Sequence, residues 1–275
     1  RQRRIAAAMP ALLKLMDDQN PAVRAAAVTS YAELAGEDEL TALLDKLVQT
    51  TVPSEISAIE RALGAICGAV GDSCVPRLVE ALAKAGPAAK PALLRTLGAT
   101  GGATALAAVR GAVDDANKDV HTAAIRVLSE WKTGDAAPVL LELAKTSPAP
   151  VDKILSLRGY LGMADRPELP AQAKLAIYRE AAAMIQRDDE KLLLLGGLAK
   201  LADPEGVSLA APYLDEPAVK REAVAAVIAM AGKRAANQQV AATRTALEKV
   251  VQVAAADPAV VKRAQELLQQ ITTEK

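Results

Sequence analysis

The stretch Asn20-Pro-Ala-Val-Arg-Ala-Ala-Ala-Val is the strongest indication of the architecture of this 275-residue chain, because it recurs. It returns as Glu216-Pro-Ala-Val-Lys-Arg-Glu-Ala-Val and again as Asp257-Pro-Ala-Val-Val-Lys-Arg-Ala. In each copy, a polar residue that suits a helix N-cap or first turn stands before a proline that suits the first helical position. The stretch therefore predicts a helix that recurs along the chain.

Weaker copies begin at Pro53, Pro87 and Lys118, near Ala149 and near Asp188. The intervals between the eight starts are 32, 34, 31, 31, 39, 29 and 41 residues, with a mean just under 34. A period of this length is typical of helix-pair repeats, and the longer intervals fit insertions in loops.

Apolar residues follow a helical spacing in each copy. Counted from the first residue of the helix as zero, they fall at positions 2, 6, 9 or 10, and 13, which places them on one stripe of a helix. In the fourth copy this stripe consists of Val120, Ala124, Val127, Leu128 and Trp131. A second amphipathic run lies between copies, for example at residues 39–48. Two helices per repeat and about eight repeats predict an all-α solenoid.

The composition favours helices as well. The chain has 61 alanines, one tryptophan and no phenylalanine, whereas β-sheet proteins rely on β-branched and aromatic residues. We predict one repeat domain over residues 1–275. Because the chain begins Arg1-Gln-Arg-Arg, we expect it to be a fragment or a processed part of a longer chain.

The Asp/Asn-Pro-x-Val-Arg/Lys-x-x-Ala pattern resembles that of HEAT repeats, including the shorter HEAT-like subtype. The resemblance covers essentially the whole chain and is strongest at residues 18–35, 215–232 and 256–271. The pattern is degraded at 148–165 and 187–202. The resemblance implies a right-handed superhelix with a concave face, and scaffolding or binding far more often than catalysis.

Charge and motifs argue against several classes of function. Lys plus Arg and Asp plus Glu both number 33, so no basic excess indicates binding to nucleic acid. The single histidine, His121, excludes a two-histidine zinc site and fits a half-exposed first-turn position. No nucleophile elbow or P-loop is present. Apolar stretches such as 5–13 are too short to span a bilayer. We therefore predict no enzyme, no metal, no cofactor and no membrane span.

Four arginines form what we call the arginine series: Arg61, Arg95, Arg126 and Arg158. The first three stand at position 8 of the second, third and fourth copies, and Arg158 is equivalent if the fifth copy begins at Pro150. Position 8 lies about 145° from the centre of the apolar stripe, at 100° per residue. We expect one guanidinium per repeat in the concave groove, roughly 10 Å apart.

Two interpretations of the arginine series remain open. The series could grip an acidic peptide or another anionic ligand, because guanidinium forks suit carboxylates and phosphates. Alternatively, each arginine could pair with a neighbouring acid such as Glu60 or Glu130, at a modest energy per pair.

Other short features have structural interpretations. Gly64-x-x-x-Gly68 is expected to let neighbouring helices approach closely. Trp131 and Tyr31 fall at core positions. The acidic residues of segment 115–119 are expected to cap the next helix rather than to bind calcium, because the glycine and the glutamate of a calcium loop are missing.

Cys67 and Cys74 are the only thiols and lie on either side of the Gly71-Asp72 turn. Such a turn can bring two Cα atoms close enough for a disulfide. Buried free thiols in an alanine-rich core are equally ordinary. The sequence therefore leaves open whether the two cysteines form a disulfide or remain free thiols.

Three functional hypotheses follow. The first is a non-enzymatic HEAT-repeat module that binds a protein or peptide through its concave face. The second is an accessory region of a larger exported bacterial enzyme or cytochrome. The third is an enzyme built on HEAT-like repeats, such as a DNA glycosylase or a bilin lyase. Zero net charge and five aromatic residues argue against the glycosylase.

Overall fold

The computed structural model describes residues 2–232 and 240–273, and every regular element in those ranges is helical. The helices divide into two compact units, residues 1–132 and 133–275, and each unit is described by itself. The single domain over residues 1–275 stays a prediction.

The first unit consists of four helical hairpins in two layers. Each first-layer helix packs against the second-layer helix that follows it, and α2, α4, α6 and α8 pack in series. The first layer contains α1 (Gln2–Leu15), α3 (Leu40–Gln49), α5 (Val75–Lys84) and α7 (Ala103–Gly111). The second layer contains α2 (Pro21–Leu34), α4 (Pro53–Val70), α6 (Lys90–Thr100) and α8 (Lys118–Ser129).

The second unit repeats this arrangement with four more hairpins. Its second-layer helices α10, α12 and α14 again pack in series. The first layer contains α9 (Ala137–Thr146), α11 (Ala171–Ala182), α13 (Val207–Ala210) and α15 (Val240–Val253). The second layer contains α10 (Pro150–Met163), α12 (Asp188–Leu201), α14 (Lys220–Ala231) and α16 (Pro258–Thr273).

The predicted repeat starts coincide with the second-layer helices. Five of these helices begin at the predicted residue, and α10 begins one residue after Ala149. The helices α6 and α14 begin three residues after the predicted Pro87 and Pro217, since turns occupy 87–89 and 217–219. The periodicity of the sequence therefore gives the correct architecture.

Short polar side chains cap several of these helices. The Asn20 Oδ1 accepts a hydrogen bond from Ala22 N at 2.9 Å, and Asp257 caps α16 in the same way. The prediction for segment 115–119 is wrong in one detail, because the amide of Asn117, not a carboxylate, caps α8. Glu216 is not the N-cap of α14, since that helix begins four residues later.

The apolar stripe forms the core, with one exception. All five stripe residues of the fourth copy are buried, and Tyr31 is buried with them as predicted. At position 2, however, three copies carry a buried acid: Glu55, Asp152 and Glu190. Glu190 caps the start of α12 by accepting hydrogen bonds from backbone N–H groups, whereas Glu55 and Asp152 accept hydrogen bonds from the Thr50 and Ser147 hydroxyls. In these three helices position 2 therefore makes polar contacts rather than apolar packing.

The prediction for Gly64 and Gly68 is wrong. Both glycines are exposed on α4, and a Cβ built on either would meet no atom within 4 Å. Close packing occurs at other glycines. A Cβ on Gly98 would collide with Val127 on α8, and a Cβ on Gly197 would collide with the Tyr178 hydroxyl.

One stretch of the described chain, Pro53–Lys84, is long and apolar enough to cross a membrane; its most apolar window has a mean hydropathy of 1.3. Core helices of soluble proteins pass the same test, and 39% of its most apolar window is buried. In the structure this stretch is divided, because α4 ends before Gly71, whose φ is 66°, and α5 begins at Val75.

Candidate functional site

The structure places Arg61, Arg95 and Arg126 on three consecutive second-layer helices of the first unit. They lie on α4, α6 and α8, and all three side chains are on the exposed side of their helices. Since packed helices lie about 8–10 Å apart, the three arginines occupy neighbouring rows of one surface. We call this surface the arginine face; it comprises the exposed sides of α4, α6 and α8.

Arg95 is held by an acid of the neighbouring helix. Its Nε donates to the Glu60 Oε1 at 2.6 Å and its Nη2 donates to the Glu60 Oε2 at 2.7 Å. This paired geometry is the strong form of an arginine–carboxylate contact. The hydrogen bonds to Glu60 raise the pKa of Arg95. For this arginine, the interpretation as an inter-helix ion pair is confirmed.

Arg61 and Arg126 have no acidic partner among the residues that the structure describes. The Nε of Arg61 makes one long hydrogen bond, 3.4 Å, to the carbonyl oxygen of Ser57 on its own helix. Glu130, the acid expected beside Arg126, lies exposed at the C-terminus of α8. Within the described ranges, the arginine face therefore has two guanidiniums without a paired carboxylate, one on either side of the Arg95–Glu60 pair.

Arg158 belongs to the second unit and is paired. It lies half-buried on α10, and its Nη2 donates to the Asp189 Oδ2 of α12. Its buried Nε has no hydrogen-bond partner. The arginine series is thus not uniform: Arg95 and Arg158 hold neighbouring helices together, whereas Arg61 and Arg126 do not.

The surface beside Arg61 is flat. Gly64, Ala65 and Gly68 continue the exposed side of α4 toward its C-terminus, with open space above both glycines. A chain bound at Arg61 can therefore approach the helix backbone closely, which larger side chains would prevent.

Sequence reasoning missed a buried network at Glu55. The carboxylate accepts hydrogen bonds from the Thr50 hydroxyl, at 2.7 Å, and from Arg24 Nε of the preceding repeat. The Thr50 oxygen in turn accepts a hydrogen bond from Val52 N. Burial raises the pKa of Glu55, but the hydrogen bonds from Thr50 and Arg24 outweigh it and hold that pKa below its ordinary value.

The same arrangement occurs in the second unit. Ser147 donates to Asp152 at 3.1 Å and accepts from Ala149 N at 3.3 Å. In both units a hydroxyl residue stands five positions before a buried acid. That spacing is visible in the sequence but does not identify the network by itself, because Thr243 and Glu248 share it while the Thr243 hydroxyl has no hydrogen-bond partner among the described residues.

The two cysteines lie in the core of the first unit, and His121 lies at the start of α8. Cys67 and Cys74 are both buried and both free thiols. Burial, together with the hydrogen bond to Cys74, raises the pKa of the Cys67 thiol, so the reactive thiolate is disfavoured. His121 is half-buried in the first turn of α8, as expected, and its Nδ1 contacts the carbonyl oxygen of Val113.

Metal ligands do not converge in the part of the chain that the structure covers. There, no three His, Cys, Asp or Glu side chains lie close enough together to hold an ion.

Antiparallel helical hairpins that stack in two layers define an α-solenoid. Residues 75–158 match the family described as HEAT repeats, and residues 8–36 match the family described as HEAT repeat. Over these two ranges the chain therefore contains HEAT repeats.

The solved structures that are similar to this chain include the following two. Human deoxyhypusine hydroxylase in complex with glycerol is 16% identical, with a TM-score of 0.39, over 100% of this chain and 97% of that one. An engineered protein, Northeast Structural Genomics Consortium target OR329, is 17% identical, with a TM-score of 0.29, over 96% of both chains. No curated protein sequence matches the chain.

Proposed function

We propose that this protein is a non-catalytic HEAT-repeat binding module that engages an acidic segment of a protein partner on the arginine face. The unpaired guanidiniums of Arg61 and Arg126 carry the proposal. An exposed arginine without a carboxylate can form new paired hydrogen bonds to an incoming acid without breaking an existing ion pair.

The spacing of the two arginines indicates the shape of the ligand. Their helices are separated by one intervening helix, α6, so the guanidiniums lie about 20 Å apart. About six residues of extended chain span that distance. The open surface over Gly64 and Gly68 leaves room for such a chain beside Arg61.

Other classes of function have less support. Zero net charge and few aromatic residues argue against a duplex-binding enzyme. The role of an accessory region in a larger enzyme is compatible with the proposal, because the neighbouring domain would then supply the acidic segment.

The test uses a fluorescein-labelled peptide of twelve glutamates and measures its fluorescence anisotropy with the purified chain at low salt. We expect binding that weakens at least about tenfold in Arg61→Glu/Arg126→Glu, because two attractive contacts become repulsive. The control, Arg77→Glu/Lys84→Glu, makes the same change in net charge on α5. Equal loss in both variants would show a non-specific charge effect and overturn the proposal.

A further inference from the structure

The second unit contains a cleft of about 500 Å³ between the hairpins α9–α10 and α11–α12. Its volume lies within the roughly 300–1,000 Å³ that is usual for small-molecule sites. The residues that line it come from both hairpins, so the cleft is formed by the packing of two neighbouring repeats.

The cleft has an apolar interior. Ala144 and Leu157 are 7% and 4% exposed, and Ile154 and Met184 are half-buried beside them. A methionine side chain is flexible and polarisable, so Met184 can adapt to an aliphatic ligand. Burying a hydrocarbon chain here would remove apolar surface of both ligand and protein from water.

The three cations that line the cleft, Lys145, Lys153 and Arg187, differ in their acidic partners. Lys145 pairs with Glu180 at 2.9 Å, and Arg187 lies 3.2 Å from the Asp189 carboxylate, which it shares with Arg158. The Glu190 carboxylate is occupied by the backbone N–H groups of Gln186 and Arg187, each at 3.2 Å. Lys153 lines the same cleft, is exposed, and has no acidic partner among the described residues.

We propose that this cleft binds a small amphipathic carboxylate. The aliphatic part lies against Ala144, Ile154, Leu157 and Met184, and the carboxylate pairs with Lys153. The site is independent of the proposed function, since its residues belong to the second unit and the arginine face belongs to the first.

The test is isothermal titration of the full chain with decanoate, and separately with decanol, below the concentration at which either aggregates. We expect decanoate to bind at least about tenfold more tightly than decanol, because only decanoate can pair with Lys153. Equal affinities, or no binding of decanoate, would overturn the proposal.

Two variants locate the site. Lys153→Glu is expected to weaken decanoate binding at least about tenfold and to leave decanol binding nearly unchanged. Ala183→Trp is expected to abolish binding of both ligands, because Ala183 is an exposed residue at the wall of the cleft. Lys262→Glu, at an exposed lysine of α16, is the charge-matched control. Unchanged decanoate affinity in Lys153→Glu would overturn the proposal even if Ala183→Trp failed to fold.

Discussion

Glu60 on α4 binds the guanidinium of Arg95 on α6 through two parallel hydrogen bonds, 2.6 and 2.7 Å long. The two residues are 35 positions apart, close to one repeat period. The same separation joins Lys145 to Glu180 in the second unit. Pairs of this kind connect helices of neighbouring repeats, whereas Arg61 and Arg126 make no such pair with any described residue.

Replacing Glu60 with Gln should release Arg95. We expect the free energy of unfolding to change by at most about 1 kcal/mol, because the Arg95 side chain is half exposed and surface ion pairs contribute little. The acidic peptide should bind more tightly, since a third guanidinium becomes available. A denaturant titration and the anisotropy assay measure the two effects. Weaker peptide binding would contradict this account.

Replacing Gly64 with Ala should stabilise the protein by about 0.5–1 kcal/mol, because Ala is the better helix former and a Cβ there meets open space. Gly98→Ala on α6 is the matched comparison. It should destabilise by about 1–3 kcal/mol, because its Cβ collides with Val127. Thermal or denaturant unfolding gives both values. A stabilising Gly98→Ala would show that α6 and α8 pack less closely than described.

Glu55 should make the stability of the protein dependent on acid pH. Its pKa in the folded protein lies below the ordinary value of 4.5, so the unfolded chain takes up the proton first. The contribution of Glu55 to stability is therefore present above about pH 4.5 and is lost as the pH falls through the lower, folded pKa. Glu55→Gln should lower the free energy of unfolding at pH 7 by roughly 1–3 kcal/mol. It should also reduce the decrease in that free energy as the pH falls.

The measurement for Glu55 is a series of urea titrations between pH 3 and 7. Glu33→Gln, at an exposed residue of α2, is the control. If the free energy of unfolding decreased with pH to the same extent in Glu55→Gln and in the unsubstituted chain, the result would contradict the buried network.

The two thiols should react slowly in the folded protein. Both cysteines are buried, and the pKa of Cys67 is raised, so little thiolate is exposed to a reagent. With Ellman's reagent at pH 8 we expect labelling at least about tenfold slower than in guanidinium, where two thiols should react. Rapid labelling of the native chain, or no free thiol after unfolding, would contradict the structure.

The fold could be predicted because it depends on a pattern that repeats. The proline of the Pro-x-Val-Arg/Lys signature marks the start of a helix. The spacing of Val120, Ala124 and Leu128 places these residues on one side of that helix. The first residues of α6 and α14 were predicted less accurately, because turns at 87–89 and 217–219 delay the start of each helix by three residues.

The candidate site could be predicted only in part. Helical periodicity places Arg61, Arg95 and Arg126 on the exposed side of their helices, but their partners come from other repeats. Whether an acid such as Glu60 reaches an arginine depends on the offset between packed helices, which periodicity leaves open. The same limit explains the error at Gly64 and Gly68, whose side of α4 faces solvent rather than a neighbouring helix.

Binding of an acidic segment at the arginine face can be observed at the arginine side chains themselves. In a ¹⁵N-labelled chain, the Nε–Hε resonances can be followed by NMR while the twelve-glutamate peptide is added. We predict that the signals of Arg61 and Arg126 shift first and that the signal of Arg77 on α5 stays in place. Binding of the peptide without any change at Arg61 and Arg126 would contradict the proposal that the arginine face is the binding surface.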